Sequence, residues 1–172
     1  NKDKNNEYRI KDNQVAGIAC DHWNRYKEDI HLLKKLGVSH YRLSLEWSKI
    51  EPTKGEYNQE AIQHYINVVD ELISHNITPA VTLHHFTNPI WFDKLGGFEN
   101  ESNIIHFTTF SNHIFSILSD RVKLWCTINE PEVYSVMGYF NGVFPPGKKN
   151  PQLTVNVLKN LLIAHTKTYH LL

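Results

Sequence analysis

Three short apolar runs in this chain each end in polar residues that could do chemistry. Val38–Leu45 carries Arg42 and runs into Glu46 and Trp47; Pro79–Leu83 runs into His84 and His85; Lys123–Ile128 runs into Asn129 and Glu130. A carboxyl at a strand end, with a carboxamide beside it, could do acid–base work. Cleavage of a glycosidic bond, for example, needs one acid to protonate the departing oxygen and a second carboxylate on the opposite face of the sugar. Asn129-Glu130 offers half of that pair. A carboxyl walled by aromatic side chains has its pKa raised by desolvation and stays a proton donor near neutrality. Asn129, beside it, can donate to a sugar hydroxyl.

The elements that would position these residues follow from periodicity. Tyr26, Ile30 and Leu33 recur at helical spacing between Arg25 and Leu36, and Gly37 ends that helix. Val38–Leu45 alternates and is rich in strand formers. The same step then repeats. Asn58 caps a helix carrying Ala61, Tyr65, Val68, Val69, Leu72 and Ile73, and Pro79–Leu83 follows as a strand, with Pro79 tolerable at its first position. Ile104, Phe107, Ser111, Ile114, Phe115 and Leu118 mark a third helix, with Lys123–Ile128 as the strand after it. A fourth helix, Leu153–Leu172, carries Val157, Leu158, Leu161, Leu162 and Leu172. Unbroken alternation predicts a parallel sheet built from right-handed crossovers. Barrels and doubly wound sheets both satisfy it, but polar residues at the C-terminal ends of successive strands are the mark of a (β/α)8 barrel.

Composition narrows the chemistry. The 172 residues hold 18 basic and 18 acidic side chains, so no net charge argues for nucleic acid or for an anionic membrane surface, and a neutral small-molecule substrate is expected. No apolar run approaches the roughly 20 residues of a membrane span. Gly96-Gly97 lacks the spacing of a phosphate-cradling loop. The 11 histidines are scattered and H-E-x-x-H is absent, so neither metal nor cofactor is expected. Cys20 and Cys126 form no CxxC pair, which favours a reducing, cytoplasmic compartment; the sequons at Asn76 and Asn100 carry little weight.

Thr127-Ile128-Asn129-Glu130-Pro131 resembles the acid/base signature of family 1 glycoside hydrolases, the β-glucosidase family. It does not stand alone. Cys20–Ile30 resembles that family's segment after the first strand, Tyr41–Pro52 its second strand and loop, Val81–Pro89 its third-strand segment, and Gly142–Gly147 its loop after the fourth strand. Order and spacing agree from about Ala19 onward. The resemblance implies a retaining β-glycosidase acting by double displacement, with Glu130 as acid/base and with Asn129 and His85 on hydroxyls of the glycone. It further implies that Arg42 supports the nucleophilic carboxylate, a task suited to its planar, permanently charged fork.

The departures from the family pattern matter as much. Phe86 stands where many members have Trp, and Thr87 where many have Asp. A sugar-gripping Gln on the first strand and a nucleophilic Glu far downstream are both missing. Glu99-Asn100 follows Gly97-Phe98 with no strand before it and is rejected as that nucleophile. Since a (β/α)8 barrel needs about 200–250 residues, residues 1–172 are expected to form a single partial barrel domain, roughly strands 2–4. Such a domain lacks the first strand and the C-terminal half, and the activity is expected of the intact parent, not of the fragment. A catalytically inactive, truncated member serving as a scaffold or sugar-binding remnant is the alternative; another barrel glycosidase would leave Tyr41–Pro52 and Gly142–Gly147 unexplained.

Several local readings remain paired. On a strand, His84 and His85 face opposite ways, and the family alignment selects His85 as the inward one. Arg42, expected on a buried strand, is either functional or paired with Glu46. Trp47 and Phe86 are either sugar-stacking walls or core, whereas Trp91 and Trp125 are read as core.

Overall fold

A computed structural model describes residues 10–171. Leu172, and the polar start of the chain, lie outside that range. The first helix, α1 (His22–Lys35), begins three residues before the predicted Arg25, because His22, Trp23 and Asn24 form its first turn, whose opening bonds are accepted by the Asp21 carbonyl. Its single fully buried residue is Ile30. Near its start, the Trp23 ring stacks on His64 at 3.7 Å, with the Lys49 ammonium 4.0 Å from the same ring. A strand, β1 (His40–Ser44), and a short helix, α2 (Trp47–Ile50), follow.

Helix α3 (Gln59–Ser74) starts where Asn58 predicts it: the Asn58 Oδ1 accepts from the Glu60 and Ala61 amides at 3.0 and 3.2 Å. Its buried stripe is Ala61, Ile62, Tyr65, Val68, Val69 and Leu72, while Ile73, expected in the core, is exposed. Strand β2 (Thr78–His84) comes next, then α4 (Ile90–Lys94), α5 (Ile104–Leu118) and strand β3 (Leu124–Ile128). After β3 the chain makes α6 (Pro131–Ser135), a π turn over Val136–Phe140, and the long α7 (Pro151–Leu171).

The three strands form one parallel sheet in the order β1-β2-β3. Leu43, Val81 and Trp125 align across it, as do Ser44, Thr82 and Cys126. The helices cover one face, where the core holds Trp47, Phe92, Phe98, Phe107 and Phe110, all essentially inaccessible. Trp47 stacks on Phe110 at 5.0 Å, so it is a core residue and not a sugar wall. Trp91 packs edge-on against Trp47, and Trp125 lies 5.5 Å from Phe115 beneath α5, as the core reading expected. On α7, Val157, Leu161 and Ala164 close the core. Leu162, expected with them, is exposed; the helix turns its inward stripe through Asn160, whose Nδ2 donates to the Phe98 carbonyl at 2.8 Å.

This architecture is the predicted one: a partial (β/α)8 barrel with two open sheet edges. The barrel-side residues Arg42 and Ser44 are not buried, because no further strand among the described residues closes over them. The expected burial of Arg42 is therefore corrected.

Candidate active site

The C-terminal ends of β1, β2 and β3 bring Arg42, His85, Asn129 and Glu130 into one hydrogen-bonded cluster. The Arg42 Nε donates to the Thr82 Oγ1 at 2.8 Å, and its NH2 group donates to the Asn129 Oδ1. That contact fixes the Asn129 carboxamide with its nitrogen directed away from the guanidinium. The Asn129 Nδ2 then donates to the His85 Nε2 at 3.2 Å and to the Glu130 Oε2 at 3.3 Å. With its Nε2 accepting, neutral His85 carries its proton on Nδ1, which donates to the Ser44 Oγ at 2.8 Å. The donor and acceptor roles are consistent from the arginine to the serine.

Strength is unevenly distributed along this chain. The two bonds made by the Asn129 Nδ2 lie at the long end of the normal range, so both are readily exchanged for a ligand oxygen. Asn129 is 7% exposed, whereas His85 and Glu130 are exposed. The desolvating wall expected around Glu130 is thus not provided by the described residues.

Backbone strain marks the same place. Glu130 has φ +42° and Phe86 φ +70°, in the left-handed region, which costs an L-residue roughly 1–2 kcal/mol. Such strain persists only where surrounding contacts over-determine it, and it clusters at functional sites. Glu130 sits immediately before α6, where Pro131 fills the first helical position, needs no donor there and carries a φ suited to the helix. The chain therefore turns sharply at the end of β3 and leaves the Glu130 side chain at the mouth of the sheet.

Arg42 does not pair with Glu46. The Glu46 carboxylate is held by the Ser48 Oγ at 2.5 Å and by the Thr87 Oγ1 at 2.9 and 3.1 Å. Among the described residues the Arg42 guanidinium has no carboxylate partner and rests on neutral oxygens alone. His84 and His85 do diverge: His84 is 1% exposed against Phe98, Phe107 and Tyr134, while His85 joins the site. The Phe86 ring meets His85 edge-on at 4.8 Å and borders a cleft of about 380 Å³ shared with Phe144, Pro145 and Pro146. Phe86 thus belongs to the site's margin.

Two members of the cluster escaped the sequence reading. Ser44 lies two residues after Arg42 and so shares its face of β1, a signal that strand periodicity contains. Thr82 is recognisable only through the sheet register, which sets it opposite Ser44. No group of three or more His, Cys, Asp or Glu side chains among the described residues could hold a metal.

With the fold and cluster in place, similarity to known proteins becomes informative. The profile of glycosyl hydrolase family 1 matches residues 2–172. The human cytosolic beta-glucosidase is 40% identical over 167 residues, a match covering 94% of this chain and 35% of that protein. Among solved structures, the beta-glycosidase from Pyrococcus horikoshii superposes with a TM-score of 0.86 at 43% identity, covering 89% of this chain and 36% of the other. The beta-glucosidase from Thermotoga maritima in complex with glucoimidazole gives 0.90 at 37% identity, covering 95% and 37%. The chain therefore spans little more than a third of the length of these relatives. By its profile match, its relatives and its fold, it belongs to glycosyl hydrolase family 1.

Proposed function

We propose that a complete barrel carrying this segment is a retaining β-glycosidase that hydrolyses neutral β-linked glycosides, glucosides foremost, with Glu130 as acid/base. The observation that carries the reading is the Arg42–Asn129–His85/Glu130 cluster, assembled by the ends of adjacent parallel strands inside a family 1 fold. In the first step Glu130 protonates the glycosidic oxygen as the leaving group departs. In the second, its carboxylate takes a proton from the water that releases the sugar. Exposure at the strand end gives it access to both.

The remaining residues take roles that fit their surroundings. Asn129 and His85, joined by a long and replaceable bond, offer an N–H and an imidazole nitrogen to sugar hydroxyls. Arg42 presents an exposed guanidinium that lacks a carboxylate partner among the described residues, which suits it to hold the nucleophilic carboxylate of a later strand. In a retaining enzyme that carboxylate stands about 5–5.5 Å from the acid/base. A neutral, sugar-like ligand agrees with the glucoimidazole bound by the Thermotoga maritima relative. We also propose a reducing, cytoplasmic setting, on the ground that the two cysteines form no CxxC pair.

Glu130→Gln in the complete barrel tests the assignment. Its kcat/KM should fall by about 10²–10⁴-fold on glycosides with poor leaving groups and change little on activated aryl glycosides, whose departing oxygen needs no proton. Equal losses on both substrates would remove Glu130 from the acid role. Absence of activity in the unsubstituted barrel would favour the inactive, sugar-binding reading.

A further inference from the structure

The turn that carries His85 is clasped from both sides. Toward β1, the Thr87 hydroxyl donates to the Glu46 carboxylate. Toward α6, the Asn88 carboxamide makes three bonds: its Oδ1 accepts from the His84 Nε2 at 2.9 Å, and its Nδ2 donates to the Asp93 Oδ1 at 2.9 Å and to the Tyr134 hydroxyl at 2.8 Å. Both N–H groups and the carbonyl of one side chain are thereby used, and its orientation is determined without ambiguity. His84 must carry its proton on Nε2, which leaves its buried Nδ1 as the atom without a partner, as observed.

Tyr134 connects this hub to the acidic residue. It is 4% exposed and lies four residues after Glu130 on α6, where its amide donates to the Glu130 carbonyl at 3.1 Å. One hydrogen bond, from Asn88 to Tyr134, therefore joins the turn bearing His85 to the helix that Glu130 begins. Both of those segments hold a non-glycine residue in the left-handed region, Phe86 and Glu130, so each needs external contacts to keep its conformation.

We propose that Asn88 is a positioning residue: by tying Tyr134 to the turn after β2, it sets where the Glu130 carboxyl stands relative to His85 and Asn129. This rests on the acid/base reading of Glu130. Asn88 touches no reacting atom in this role. Its effect is on the geometry of proton transfer, where a displacement of about 1 Å costs on the order of 10²-fold.

The test uses the complete barrel and two substitutions that break the same bond from opposite ends, Asn88→Ala and Tyr134→Phe, alone and together. Tyr134→Phe removes one oxygen and keeps the ring against His84 and Phe98. Each single variant should lower kcat/KM on alkyl glycosides at least about tenfold, with less than about threefold change on activated aryl glycosides, and the double variant should be no worse than Asn88→Ala. A structural role alone would not discriminate between leaving groups. Equal losses on both substrates, no loss, or additive losses in the double variant would overturn the proposal. If Asn88→Ala fails to fold, the Tyr134→Phe split decides; failure of both to fold would assign Asn88 to stability and overturn it as well. A split for Glu130→Gln without one for these variants would refute only the positioning role, whereas no split for Glu130→Gln would refute the reading beneath it.

Discussion

His84 and His85 are adjacent in sequence, yet one is buried among aromatic rings and the other stands in the candidate site. Burial, chiefly, lowers the pKa of His84 to about 4, although its bond to Asn88 opposes the shift. The unfolded chain takes up a proton near pH 6.5 and the folded one does not, so His84 costs nothing above that pH, and stability falls as the pH drops from about 6.5 toward 4, by roughly 3 kcal/mol in all. Urea midpoints of the complete barrel measured at pH 7 and 4.5 should show this loss, and His84→Leu should flatten it; an equal pH dependence in the two proteins would contradict it. At this scale the sequence told much about residue type: strand-end positions drew attention to Arg42, the two histidines, Asn129 and Glu130, and the family resemblance chose His85 between the histidines. It did not tell partners. Arg42 and Glu46, four apart and opposite in charge, invite pairing on paper, but Thr87 and Ser48 hold the carboxylate and Asn129 and Thr82 hold the guanidinium.

Among the elements, the longer ones with an apolar pattern were located well: α3 behind its Asn58 cap, α5, and the strands before His85 and Asn129. Asn58 supplies two of the orphan amide bonds at the start of α3, so Asn58→Ala in the complete barrel should cost about 1 kcal/mol, measurable as a lowered denaturation midpoint with unchanged slope. No change would mean that water replaces the cap in full. The short elements were not legible. Helices α2, α4 and α6 have four or five residues each, too few for a period to show, and long-range contacts hold them in place. At the end of α2 the Glu51 carbonyl accepts from the Trp91 indole, 40 positions away, at 2.9 Å, while its carboxylate, on a residue 5% exposed, closes the local turn by accepting from the Trp47 indole at 2.7 Å and the Gly55 amide at 2.8 Å. In the π turn, Gly138 is favoured by a close approach, since a Cβ there would meet the Pro145 carbonyl oxygen at 3.0 Å and push that backbone away. Burial assignments at stripe margins failed for Ile73 and Leu162 because a 3.6-residue period tells which side of a helix is apolar, and only the packed neighbours set how wide the buried face is.

For the molecule as a whole, β1 and β3 are edges of a three-stranded sheet whose barrel-side residues include an exposed arginine and glutamate. Unpaired edges of this kind template further strands. The 172-residue chain, expressed alone, should self-associate: light scattering behind a sizing column should give a mass that rises with concentration, and thermal unfolding should be broad. A cooperatively melting monomer would show that the helices on one face suffice. Sequence alone determined the alternation of the long helices with the strands, the parallel sheet and the family, because apolar periodicity and motif spacing are local properties that survive in one dimension. The tertiary structure alone decided that Arg42 rests on Asn129 and Thr82, that Trp47 is core, and that Asn88 bridges His84, Asp93 and Tyr134. Those contacts join residues up to 87 positions apart, and their partners are chosen by how the strands lie in register and how the turns beyond them pack, which no local pattern encodes.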